Sequence, residues 1–257
     1  MVTLERPEPA VARLVLDQPA RFNPLSSEMI AALNDALRRI AADREIRAVV
    51  LAANGRGFCA GHDLKEMRAH AGDPQWQRHL FDACSRMMIA ITELPQPVIA
   101  RVHGVATAAG CQLVAMCDLA VASDAAQFAL PGVNIGVFCS TPAVGVVRNV
   151  GRKRAMEMLL TGRLFDARTA LEWGLINRVV PAADLDAAVK SYTDVIVARS
   201  PAAVRLGKAA FYAQLDRPLA AAYDIASETM ARNMMASDAS EGIDAFLDKR
   251  AAVWSGR

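Results

Sequence analysis

The chain reads as an α/β protein with a helical C-terminal part, and three observations predict it. Short apolar runs of strand length alternate with amphipathic helical patterns through the first half. The turns between them are rich in glycine and small residues, and from Arg152 onward the patterning is almost wholly helical. Repeated strand–helix–strand order implies right-handed crossovers and helices packed on a sheet.

Val11 to Leu16 is a β-branched and aliphatic run, followed by the polar, Pro-containing turn Gln18 to Leu25. Ser26 or Ser27 is placed to cap a helix beginning at Glu28, whose Ile30, Leu33, Leu37 and Ile40 recur at helical spacing. Ala48 to Ala53 is a continuous apolar run, as a buried parallel strand requires. A glycine-rich loop, Asn54 to Gly61, comes next, and a second loop lies near Gly72 to Pro74. Gln75 to Leu94 reads as a long helix ended by Pro95 and Pro97. Val98 to Val102 and Leu119 to Ala122 are two further strands, separated by a small-residue turn and a helix over Ala109 to Met116. Ser200-Pro201 starts a helix, since Pro is tolerated at the first helical position. Gly242, Phe246 and Lys249 fall in the last one. No internal repeat or low-complexity linker divides the chain.

At 257 residues the chain is long enough for one large domain, and 53% hydrophobic against 22% charged residues predicts a globular protein. A net charge of +2 with no basic run gives no footprint for nucleic acid. No apolar run approaches the ~20 residues of a membrane span. Met1 to Pro9 carries Glu5, Arg6 and Glu8 where a secretory signal would be apolar, so a cytoplasmic protein is expected. The five cysteines form no CxxC pair and the four histidines no HExxH pattern, which argues against a disulfide framework or a metal site.

Two glycine-rich turns draw the eye. Gly55 to Ala60 fits the dinucleotide pattern G-x-G-x-x-A, but that fingerprint needs a helix to begin within it, whereas this loop runs on through Gly61-His62-Asp63. The alternative pairs it with the second turn, His103 to Gln112, because each follows a buried strand and exposes main-chain amides. The amides near Ala109 and Gly110 also open a helix, where orphan N–H groups favour negative charge. Aimed at one point, two such amides would polarise a carbonyl and hold an enolate or tetrahedral oxyanion. Taken singly, each is also compatible with an ordinary tight turn.

Five ordered blocks resemble the enoyl-CoA hydratase/isomerase (crotonase) superfamily. Ala48 to Ala53 with Gly57-Phe-Cys-Ala-Gly-His-Asp-Leu-Lys65 is similar to the family's strand and F-S-A-G-A-D-L-K segment. His103 to Asp118 resembles N-G-x-A-x-G-G-G-C-E-L-x-x-x-C-D. Arg152 to Gly162, Ala167 to Val180, and Glu241 to Arg250 resemble the later A-x-x-x-x-L-T-G, A-x-x-x-G-L-V and E-G-x-x-A-F-x-x-K-R blocks. The resemblance implies a ClpP/crotonase-like fold of repeated β-β-α units, with a core over residues 1–195 and a helical trimerisation region over 196–257. It implies a homotrimer or dimer of trimers. It places the oxyanion amides on His62 and Ala109. Coenzyme A, arriving as part of a thioester ligand with no permanently bound cofactor, would be touched by Ala20, Arg21, Phe22, Ala60, His62, Asp63, Leu64 and Lys65. Phe246 and Lys249 would reach its nucleotide end, though without the resemblance a solvated face and a packed helix stripe are the plainer reading of Lys65, Phe246 and Lys249.

The departures from the family pattern bear on function. Hydratases of the family use two glutamates, which fall here at Gln112 and Gly132. An amide has no usable basicity and glycine has no side chain, so ordinary hydration is expected to be weak or absent. Other branches put a working residue on the turn after Gly136, here Val137 to Pro142. Cys139 or Ser140 therefore either faces the acyl group, or Cys139 is core while Ser140 or Thr141 caps the next helix. Three functions stay open: an acyl-CoA enzyme doing other oxyanion chemistry, a non-catalytic acyl-CoA binder, and a hydratase whose acid–base work passes to Asp63 or His62. Asp63 also has a purely structural reading, as the acceptor that holds its loop.

Overall fold

The computed structural model describes residues 1–257. Its elements in chain order are β1 (Val2–Glu8), β2 (Val11–Leu16), α1 (Ser27–Ala42), β3 (Ala48–Ala53), β4 (Gly57–Cys59), α2 (Leu64–Ala69) and α3 (Pro74–Glu93). Next come β5 (Val98–Val102), β6 (Val105–Thr107), α4 (Ala109–Met116), β7 (Leu119–Ser123), β8 (Gln127–Ala129), α5 (Ser140–Val147) and α6 (Arg152–Thr161). The rest are β9 (Phe165–Asp166), α7 (Ala167–Glu172), β10 (Arg178–Val180), α8 (Leu185–Val197), α9 (Pro201–Gln214), α10 (Leu219–Met234) and α11 (Ser237–Leu247).

Two sheets result. The larger has the order β1-β2-β3-β5-β7-β10, parallel throughout except for the β1–β2 hairpin. The smaller has the order β4-β6-β8-β9, with β4, β6 and β8 parallel. Each of the pairs β3–β4, β5–β6 and β7–β8 gives its first strand to the large sheet and its second to the small one, then runs into helix. This is the β-β-α repeat.

The central strands are buried on both faces. On β3, Val49 and Leu51 enter the main core with Leu33, Leu37 and Met87, while Val50 faces Leu185 and Val189 of α8. Helix α1 starts as its sequence dictates: Ser26 Oγ accepts the Met29 N–H, and Ile30, Leu33, Leu37 and Ile40 are all buried. Asp73 caps α3 in the same way. No helix is long and apolar enough to cross a membrane.

Several strands escape the sequence reading. β4, β6, β8, β9 and β10 are three residues or fewer, too short to show a period of two. β10 and β9 interrupt the stretch after Arg152 that patterning makes wholly helical. β1 is an edge strand whose charges, read as arguing against a signal, also guard an open edge. A division at 195/196 cuts the last turn of α8, a helix packed on the sheet, and the natural joint is Ser200, which caps α9. Lys249 lies beyond the end of α11, in a turn at φ +55°.

Candidate active site

Adjacent parallel strands end together, and this gathers the site. The loops leaving β4, β6 and β8 lie side by side at one end of the small sheet. They carry His62, then Ala109 with Gln112, then Gly132 through Cys139.

The Gly55 to Ala60 stretch holds strand β4, and no helix begins before Leu64, so it is not built as a dinucleotide turn. Backbone bonds pin the loop after it: Ala60 N–H donates to Phe22 O at 2.9 Å and Leu25 N–H to Gly61 O at 2.8 Å. Gly61 sits at φ +90°, where a side chain is strained. A Cβ placed there would lie 3.2 Å from Ala109 N, and bond geometry then puts the His62 and Ala109 nitrogens no more than about 7 Å apart. Neither N–H donates to any acceptor within the protein. Ala109 is the first residue of α4, so its free amide sits at the positive end of the helix. Gly110 is required by close approach, since a Cβ there would meet Cys59 O at 2.1 Å.

The His62 ring packs edge-on against Phe81 with centroids 5.2 Å apart, and its Nε2 is buried without a hydrogen-bond partner. Burial pushes its imidazole down to about 4, against the opposing pull of the Glu66 carboxylate, so the ring is neutral at physiological pH. Asp63 caps α2 by accepting the Lys65 N–H at 3.0 Å and pairs with Arg21. Burial raises its carboxyl, but the Arg21 guanidinium and the helix amides outweigh that and hold it below the ordinary range. Asp63 is thus occupied as a structural acceptor.

Gln112 is 4% exposed, and its Oε1 is buried with no partner. The loop after β8 closes over Gly132: its N–H meets Cys139 Sγ at 3.3 Å, and a Cβ at Gly132 would lie 2.7 Å from Val137 O and 2.9 Å from that sulfur. Cys139 is therefore core, and burial raises its thiol despite the Gly132 N–H. The expected cap by Ser140 or Thr141 is not formed. Cys139 holds the N-cap position without a side-chain bond to the amides of α5, and Ser140 Oγ donates to Phe138 O.

Ala20, Arg21 and Phe22 are brought against Ala60 and Asp63 through the bonds above, with Leu64 and Lys65 exposed beside them on α2. Phe246 stands apart on α11 and is 82% exposed; no bond joins it or Lys249 to this cluster. Two residues of the site carry no motif signal. Asn23, fully buried in left-handed conformation, donates through Nδ2 to Asn54 O, Gly57 O and Phe58 O and so fixes the loop before β4. Glu66 acts on His62 electrostatically, while its Oε2 accepts the Ser27 N–H. An Asn in a Pro-containing turn was the available signal for the first.

This is an α/β protein in which two main-chain amides without protein partners stand within about 7 Å of each other at the ends of parallel strands. The enoyl-CoA hydratase/isomerase family profile matches residues 6–257. A crystal structure of enoyl-CoA hydratase from Mycobacterium smegmatis superposes with a TM-score of 0.96 at 53% identity, over 98% of each chain. Human enoyl Coenzyme A hydratase domain-containing protein 3 does so with a TM-score of 0.95 at 42% identity, over 98% of this chain and 99% of that one. The mitochondrial enoyl-CoA hydratase domain-containing protein 3 of Rattus norvegicus is 44% identical over 254 residues, 99% of this chain and 84% of that protein. The chain belongs to the enoyl-CoA hydratase/isomerase (crotonase) family. The cytoplasmic expectation does not extend to its animal relatives, whose names place them in mitochondria.

Proposed function

We propose that this protein binds acyl-CoA thioesters with the thioester oxygen between the His62 and Ala109 N–H groups, and that it hydrates enoyl-CoA weakly or not at all. The observation that carries this is the pair of unpaired amides at the ends of adjacent strands. Such donors stabilise an enolate or oxyanion, and one of them is typically worth about 2.7–4 kcal/mol. Proton transfer is the missing half. Gln112 has no basicity, Gly132 no side chain, Asp63 is committed to Arg21 and α2, and neutral His62 is a poor acid. The Cys139 thiol, raised by burial, is no ready nucleophile. These facts favour oxyanion chemistry of another kind within this enzyme family, and they equally favour a binder that turns nothing over.

The coenzyme A moiety is assigned to Ala20, Arg21, Phe22, Ala60, Leu64 and Lys65, with Phe246 and Lys249 supplied by a neighbouring subunit of a trimer. It enters as part of the ligand, without a resident cofactor. Five free cysteines suit a reducing compartment such as the cytoplasm.

Calorimetry with butyryl-CoA is expected to show saturable binding. Crotonyl-CoA hydration, in a preparation free of host hydratase, is expected to run about 10²- to 10⁴-fold below an enzyme with its general base. Absence of thioester binding removes the proposal, and turnover in the ordinary hydratase range restores the hydratase reading.

A further inference from the structure

Where β3 and β5 begin, a cavity of about 710 Å³ opens between the end of α1, the turn before β5, the start of α9 and the tail after α11. Cavities of this size take a small molecule. The amides of His62 and Ala109 come after β4 and β6, so the strands separate the two places. Arg44, Arg47 and Arg205 line the cavity and pair with no carboxylate, whereas the acids on its wall, Asp43 and Glu45, both turn to Arg6. Main-chain acceptors set Arg47, whose guanidinium donates to Val197 O at 3.0 Å and Arg199 O at 3.4 Å. Cationic donors that the fold leaves without counter-charge suit an anion, and the guanidinium fork suits phosphate.

Gln96 points to a ligand independently of charge. It is 6% exposed and lines the same cavity. Its Nε2 donates to Ile40 O at 2.9 Å and to Asp43 O at 3.1 Å, while Oε1 is buried with no partner. Asp43 is on the cavity wall, so the amide ends there. The parallel register Val49↔Val98, carried back two residues, sets Arg47 beside Gln96, about 4.8 Å away across the strands. A buried acceptor without a donor costs stability until something donates to it. An ionised phosphate monoester offers only acceptors at its phosphate, so the donor is a hydroxyl elsewhere on the ligand. Trp254, anchored through Nε1 to Ala198 O, gives the cavity a flat apolar wall for the ligand's carbon skeleton.

We infer that this cavity is a second ligand site, for a small phosphate monoester carrying hydroxyl groups, such as a sugar phosphate. Arg44, Arg47 and Arg205 supply charge for the phosphate, and Gln96 Oε1 accepts from a hydroxyl. The inference stands apart from the acyl-CoA reading, since it uses none of the same residues.

The test is calorimetry on the full-length protein at low salt and pH 8, with ribose 5-phosphate, methyl phosphate and ribose as probes. Both phosphates are dianions there, and only ribose 5-phosphate brings hydroxyl donors. Ribose 5-phosphate is expected to bind one per chain, at least about tenfold tighter than methyl phosphate, and ribose not at all. Saturation with butyryl-CoA is expected to leave that affinity unchanged. Arg205→Glu and Arg44→Glu, both at exposed positions, are each expected to weaken ribose 5-phosphate at least about tenfold while butyryl-CoA binds as before. No binding of ribose 5-phosphate, equal affinity for methyl phosphate, indifference to both variants, or displacement by butyryl-CoA would each overturn the inference. The comparison of the three probes on the wild type decides the matter even if a variant fails to fold.

Discussion

Ala108 precedes Ala109, whose amide is proposed to hold the thioester oxygen, and holds φ +50°, ψ −120°, a conformation that favours glycine. Its N–H donates to Ala129 O at 2.9 Å, so the loop is fixed from the neighbouring strand and the alanine endures the strain. Backbone strain of this kind is worth about 1–3 kcal/mol, and extra freedom of glycine in the unfolded chain returns roughly 0.4–1 of it. Ala108→Gly is therefore expected to stabilise the protein by about 1 kcal/mol, raising Tm by about 2–4 °C in a scanning melt. A lower Tm would show that the alanine is at ease. His62 gives a second expectation. Its folded-state value near 4 lies below the ordinary 6.5, so between those values the unfolded chain binds the extra proton. The stability it contributes is complete above about pH 6.5 and falls as pH drops toward 4. Urea titrations at pH 7 and pH 4.5 are expected to show wild type losing about 2 kcal/mol more than His62→Gln over that interval, and equal losses would refute the assignment.

At the scale of elements, the loop from Gly132 to Cys139 decides whether hydratase chemistry is one substitution away. Restoring both glutamates by Gln112→Glu with Gly132→Glu looks sufficient on the sequence. The fold says otherwise, because any Cβ at position 132 meets the Val137 carbonyl and the Cys139 sulfur. Gly132→Glu is expected to lower stability by about 1–3 kcal/mol, as overpacking does. Adding Cys139→Gly is expected to recover only part, because the carbonyl remains. Thermal melts check both, and an unchanged Tm for Gly132→Glu would mean the loop moves freely. The same loop shows where legibility ended. Helix α1 is plain from its cap and spacing and α3 from the prolines that end it, and β2, β3, β5 and β7 from apolar runs of four to six residues. The second strand of each β-β-α unit is not, since three residues between turns carry no period. Because the site hangs on those short strands, motif blocks named its residues while only coordinates placed Cys139 over Gly132 and Asn23 under the loop before β4.

At the scale of the whole molecule, the C-terminal helices are tied to the core at a few polar points and leave much of their apolar surface open. Lys208 Nζ donates to Asp118, Ile91 O and Gln96 O, and Tyr212 OH also donates to Asp118, anchoring α9 beside β5. Burial pushes the Lys208 ammonium down and the Asp118 carboxylate pulls it back, so the pair is bound to the fold more than to solvent. Trp254 Nε1 donates to Ala198 O, and Asp238 accepts from Ser200, Ser255 and Gly256, closing the tail onto α9. Yet α10 buries no residue at all, and Phe211, Leu219, Tyr223, Met230 and Met235 are exposed along α9, α10 and the turn after it. An isolated chain rarely leaves so large an apolar face to water, and a symmetric oligomer is the ordinary remedy. Light scattering after size exclusion is expected to give about 83 kDa for three chains of 27.6 kDa, or twice that for a dimer of trimers. Leu219→Asp combined with Tyr223→Asp is expected to shift the distribution toward the monomer, and if Phe246 and Lys249 serve a neighbour's site, butyryl-CoA affinity is expected to fall with it. A stable 27.6 kDa species in the wild type would remove the shared site, leaving the amides of His62 and Ala109 to act within one chain.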